Sequence, residues 1–198
     1  MGFIGKVPTP VPLTSSDITD GIITSAKIVD GTITSSDLAS GVAGKVLQVV
    51  SATKTDTSSF TSSTFFDISG LSVSITPSST SNKVLIVSYA NMGWDYGLAK
   101  IGLKLLRGST IINLGDANGS RIRMSSSCYI NSNSASTLPG MSNFLDSPST
   151  TSATTYKLQA ASLDNAGTVY VNRPSDDFAD NSTFATVTST ITAMEISA

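Results

Sequence analysis

Apolar residues recur every five positions between residues 13 and 42, at Leu13, Ile18, Ile23, Ile28, Ile33 and Leu38. That spacing fits neither a helix, with its period of 3.6, nor a strand, with its period of 2. Read in tens, the segment is LTSSDITDGI, ITSAKIVDGT and ITSSDLASGV, with glycine at Gly21, Gly31 and Gly41. The glycines follow Asp20, Asp30 and Ser40, and Asp-Gly is a turn signal because glycine takes positive φ without steric cost. One such repeat has only two or three apolar side chains, so three in one chain cannot close a core. If three chains wind together, the six apolar residues converge on an axis and the Ser, Thr and Asp positions face water. The pattern therefore predicts a short fibrous stalk over residues 13–44 that brings chains together.

Beyond residue 44 the period shortens to two. Leu71, Val73 and Ile75 alternate with Ser72, Ser74 and Thr76, the pattern of a half-buried strand. Lys83–Ala90 (KVLIVSYA) is apolar on both faces, as for a central strand covered on two sides. In AKIGLKLLR, Ile101, Leu103 and Leu105 share one face while Lys100, Gly102 and Lys104 share the other. Further strands are expected near 46–53, 64–68, 110–114, 121–130, 155–162, 167–173 and 183–196. In the last of these the phase weakens at Met194–Ile196, which suggests a bulge or register change there. About ten short strands separated by turns predict an all-β sandwich or barrel over residues 45–198. The loops 115–120, 132–140 and 174–182 are the long polar ones, where binding is usually built.

Residues 1–12 carry Pro8, Pro10 and Pro12 at alternate positions, which predicts an extended peptide without a core. It is either a frayed end or an anchor that orders on docking to a partner. Composition supports strands and turns over helices. Ser and Thr make up about 30% of the 198 residues, and the acids are thirteen Asp and one Glu, Glu195. Disorder requires low hydrophobicity and high net charge. Here the hydrophobic share is 39%, mean hydropathy is +0.15 and net charge is −2.

Absent residue types exclude chemistry. The chain has no histidine, so Ser-His-Asp and Cys-His machinery and the commonest metal ligand are missing. No glycine-rich phosphate-binding pattern occurs. No enzyme activity and no cofactor are expected. The basic residues are scattered, which argues against nucleic acid. No apolar run reaches the length of a membrane span, and no signal peptide is evident. The single cysteine, Cys128, reads as a buried, inert thiol.

Two clusters could carry chemistry. Asp176, Asp177 and Asp180 fall in the loop PSDDFADNS, as a solvated turn, a calcium ligand set or, less simply, a carboxylate pair. Trp94, Asp95 and Tyr96 lie in NMGWDYG, as a platform for a sugar ring or as aromatic packing at a core edge or subunit interface.

The repeat ITSAKIVDGTITSSDLASG resembles the stalk repeats of bacteriophage tail fibres, especially marine and cyanobacterial ones. The stretch from GKVLQVVSATKTD through NKVLIVSYA is similar to the start of a head domain in the same fibres, and NFLDSPSTTSATTYKLQAAS fits that pattern too. The resemblance implies a homotrimer with a jelly-roll-like head on the virion exterior, made in the host cytoplasm and attaching to a host-surface glycan or protein. It carries over no receptor-contact residues. About a dozen residues precede the repeats, where typical long tail fibres have a large domain. The chain is thus either a short fibre held to other virion proteins by residues 1–12, or a capsid decoration or tail adaptor. A lectin-like carbohydrate-binding module is the remaining alternative.

Overall fold

The computed structural model describes residues 14, 17–34, 37–38, 45–94, 98–131, 137–163, 167–175, 182 and 184–198. They fall in two units, one on either side of the boundary between Gly44 and Lys45.

Each repeat in the first unit is closed by its own turns. Asp17 N donates to Thr14 O, Lys27 N to Thr24 O and Asp37 N to Thr34 O, at 2.9–3.0 Å, once every ten residues. In the first and third copies the aspartate also accepts from the threonine amide and hydroxyl, at 2.7–2.8 Å. Those bonds hold the Asp17 and Asp37 carboxyls below the ordinary range, the threonine hydroxyl contributing most. The intervening turns bond Ile22 N to Thr19 O and Thr32 N to Val29 O. They pass through Gly21 at φ +82° and Gly31 at φ +79°, the left-handed geometry the Asp-Gly pairs announced. Ser25–Lys27 forms a single 3₁₀ turn. Of the expected axis residues, Ile18, Ile23, Ile28, Ile33 and Leu38 are all exposed in the single chain. Leu13 lies outside the described residues.

The second unit is all-β and antiparallel. Its strands are β1 (Val46–Lys54), β2 (Ser58–Phe60), β3 (Phe66–Ile75), β4 (Lys83–Trp94), β5 (Leu98–Arg107) and β6 (Thr110–Ile112). They continue as β7 (Ser126–Asn131), β8 (Thr137–Asp146), β9 (Thr154–Ser162), β10 (Val169–Val171) and β11 (Ser189–Ile196). Setting aside the three-residue strands β2, β6 and β10, the first long strand pairs with the last and the rest nest inside. β1 pairs with β11, β3 with β9, β4 with β8 and β5 with β7. Sheet I then runs β1-β11-β4-β8 and sheet II runs β3-β9-β5-β7. This nested order is the jelly roll.

The short strands extend the long ones. β8 lies along β4 from Val84 to Gly93, so β11 and β10 share the other edge of β4 in succession. β2 continues β1 beside β10 in the same way.

Alternation decides which side chains enter the core. Leu71, Val73 and Ile75 of β3, Val84 and Ile86 of β4, and Ile101, Leu103 and Leu105 of β5 are buried between the sheets. Tyr156 and Leu158 of β9 and Ile191 and Ala193 of β11 join them. The expected bulge is present but sits on the partner strand. Val46 opposes Ile196 and Gln48 opposes Glu195, so Leu47 is the extra residue. β11 itself keeps its phase, because Glu195 takes an inward position and Met194 and Ile196 point outward.

Two further expectations change. Residues 137–140, read as part of a loop, begin the ten-residue strand β8. Pro139 is tolerated because, among the described residues, β8 has a partner on one side only. Gly140 is required because a Cβ there would lie 2.0 Å from Leu103 Cδ1 of the facing sheet. The second change concerns β4. Sheet II covers its inner face, whereas on its outer face Leu85 and Tyr89 are half-buried and Val87 is exposed.

Candidate functional site

Trp94 ends β4 and is 1% exposed, packed in the core cluster with Val169, its partner across β10. Its indole has no free face for a sugar ring, so the placement is that of core packing. Asp95, Tyr96, Asp176 and Asp177 lie outside the described residues, as does Asp180. Among the described residues no group of three His, Cys, Asp or Glu side chains could hold a metal ion. No described helix is long and apolar enough to cross a membrane. Cys128 is buried on β7, and burial pushes its thiol up to about 11.

A pocket of about 240 Å³ opens beside the β2–β3 connection, lined by Thr61, Ser62, Ser63 and Ser162. Chain geometry builds it. Ser162 N at the end of β9 donates to Ser62 O at 2.7 Å, tying the two segments together. Ser62 Oγ is used locally, donating to Thr64 O and accepting from Thr64 N. Thr61 Oγ1 donates to Thr168 Oγ1 at 3.3 Å. Ser162 Oγ is buried with no hydrogen-bond partner among the described residues, alone among their side chains. A lining of neutral hydroxyls exchanges hydrogen bonds with water or a neutral polar ligand and offers nothing to compensate a charge. Nothing in the sequence pointed here, because serine and threonine are spread along the whole chain.

The orphaned hydroxyl gives a test. Ser162→Ala removes a buried group that no described residue satisfies, so the variant should be as stable as the parent or gain about 1 kcal/mol. Thermal melting checks this. A fall of several degrees would show that the hydroxyl has a partner in solution.

The two outer sheet faces differ in kind. Sheet II carries Lys100, Lys104, Lys157, Gln159 and Asp67 outward, with Lys157 Nζ 2.7 Å and Gln159 Nε2 2.8 Å from the Asp67 carboxylate. Lys104 Nζ sits 3.8 Å above the Phe65 ring. Those charges surround an apolar patch in which Phe65, Met124 and Leu163 close over Gly102. The outward register of sheet I reads across four strands as Val49, Met194, Leu85 and Leu145 in one row. The next rows are Ser51, Thr192, Val87 and Asn143, then Thr53, Thr190, Tyr89 and Met141. Val49 and Met141 are each 55% exposed and Leu145 is 47% exposed. The apolar residues on both phases of KVLIVSYA were the sequence signal for this face.

No family description matches the chain, and no curated protein matches it. Among solved structures, the chain is similar to one described as infectious bursal disease virus Gx strain, with 12% identity over 75% of this chain and a TM-score of 0.41. The Gt strain structure gives 14% identity over 76% and a TM-score of 0.39. A crystal structure of the VP2 subviral particle of the same virus gives 16% over 76% and a TM-score of 0.38. This chain spans only 37–38% of the length of those chains.

Proposed function

We propose that the chain is a non-enzymatic structural virion protein, a homotrimeric fibre whose repeats hold jelly-roll heads outward for attachment to a host surface. The observation that carries this reading is the repeat segment. Its described turns close within each repeat by local backbone bonds, yet Ile18, Ile23, Ile28, Ile33 and Leu38 remain exposed. Aliphatic side chains that recur on one period and lack a core in their own chain are stabilised when copies cover one another, at about 25 cal/mol per Å². Three heads on one stem would combine weak contacts into avidity through high effective concentration. In this reading residues 1–12 engage other virion proteins, and a host glycan or protein is the ligand. The resemblance to phage fibres supports it from the sequence side.

Light scattering on the purified full-length chain tests the core of the proposal. A mass of three times 20.4 kDa is expected. Deleting residues 13–42 should weaken that assembly. A monomer at all concentrations would overturn the fibre. Attachment is tested separately, by binding of the trimer to host cells. A trimer that binds no host surface would point to a capsid decoration or tail adaptor.

A further inference from the structure

We infer that the outer face of sheet I is the surface by which copies of the head pack on one another. The inference rests on the trimer reading for the number of copies, and adds the surface that reading leaves unnamed.

Charge carries the first argument. Between the rows of Val49 and Asn91 the outward positions of all four strands are Val, Ser, Thr, Leu, Tyr, Asn, Met and Pro, with no ionised side chain. Lys83, at the start of β4, is the one charged outward position on the four strands, at a corner of the face. An uncharged, largely apolar face asks for an occupant that is also uncharged and apolar, since any charge it covered would lose its hydration unpaired. Sheet II cannot be that occupant, because its outer face carries lysines and an aspartate. The same sheet on neighbouring copies can: around a three-fold axis one part of the face meets a different part of the next, and its threonines and asparagines can pair there.

Size carries the second. Four strands spaced about 4.8 Å apart, over about seven residues at 3.3 Å each, cover on the order of 400 Å² in flat projection. Side-chain relief raises this towards the roughly 800 Å² per partner of a standard interface. Within that area the exposed Val49, Val87, Met141 and Leu145 are interleaved with Ser, Thr and Asn, the mixed apolar and neutral-polar make-up of an interaction surface.

Hydroxyl-radical footprinting of the full-length chain, run beside light scattering, tests the assignment. Met141 is the probe, at 55% exposure in the single chain, and Tyr129 of sheet II, at 53%, is the internal standard. The expected result is a three-chain mass with Met141 oxidised at least fivefold more slowly than in Val87→Lys or Leu145→Lys. Both substitutions place a charge on the outer face without entering the core. Tyr129 should be unchanged throughout. A three-chain mass with Met141 as reactive in the parent as in both variants overturns the inference and leaves the trimer standing. A two-chain mass with Met141 protected overturns the trimer and keeps the face. A one-chain mass with Met141 reactive overturns both, and protection by a co-purified different protein overturns the choice of occupant.

Discussion

Replacing Glu195 with alanine is expected to cost about 3–5 kcal/mol, most of it through the donors left behind. Glu195 is buried on β11, and its carboxylate accepts four hydrogen bonds. Asn82 Nδ2 and Ser78 N approach at 2.6 Å, Ser78 Oγ at 2.7 Å and Gln48 Nε2 at 2.6 Å. These donors come from β1 and from the β3–β4 connection, so one side chain ties the corner of sheet I to the loop that crosses between sheets. Burial pushes the carboxyl pKa up, but the bonds from Asn82, Gln48 and Ser78 outweigh it and hold the group down at about 2, from an ordinary 4.5. A folded pKa below the unfolded one gives stability that is complete above 4.5 and lost as pH falls towards 2. The contribution is on the order of 3 kcal/mol. Urea unfolding at pH 7 and at pH 2.5 should show this loss in the parent. Glu195→Gln keeps the shape and removes the titration, so its stability should change less over the same interval. Equal acid sensitivity in both would remove Glu195 as the cause.

Asn172→Ala is expected to cost about 3 kcal/mol, and Asn172→Gly about 1 kcal/mol less than that. Asn172 follows β10 where sheet I is interrupted twice, between β1 and β2 and between β10 and β11. It is fully buried at φ +66°. Its Nδ2 donates to Lys54 O at 2.8 Å and to Asp56 O at 2.9 Å, closing the gap between β1 and β2. Its Oδ1 accepts from Ser189 Oγ at 2.5 Å, and Ser189 Oγ in turn accepts from Asn91 N at 2.9 Å. One amide thus stands in for ladder bonds that two broken strands cannot make. Alanine loses all three contacts and strains at positive φ, whereas glycine loses the contacts only. The comparison of the two by denaturant unfolding isolates the strain.

The sandwich was legible wherever burial falls on one face. Leu71, Val73 and Ile75, and Ile101, Leu103 and Leu105, are inward in the structure as their alternation predicts. β8 was not legible, because Pro139 and Gly140 signal a turn unless one knows that the strand is an edge and that Leu103 fills the space above it. The phase of β11 was misread at its end for a related reason. Glu195 is polar inside and Met194 and Ile196 are apolar outside, so hydrophobicity inverts while the pleat does not. Strand order lay beyond periodicity, since nested pairing joins residues more than a hundred positions apart. Of the candidate sites, Trp94 could be placed, and it lies in the core. The serine-lined pocket and the Asn172 staple involve residue types too common in this chain to stand out.

The pairing of β1 with β11 also bears on how the protein is made. Lys54 can meet Ser189, and Val46 can meet Ile196, only after the whole sandwich sequence has left the ribosome. At about 5–20 residues per second, the 142 positions from Lys54 to Ile196 take roughly 7–28 s to synthesise. During that interval β1 is a nascent strand without its partner, and topologies dominated by such distant pairings close slowly. The ten-residue repeats need no distant partner to form their turns. They emerge first and can close their turns seconds before the head is complete.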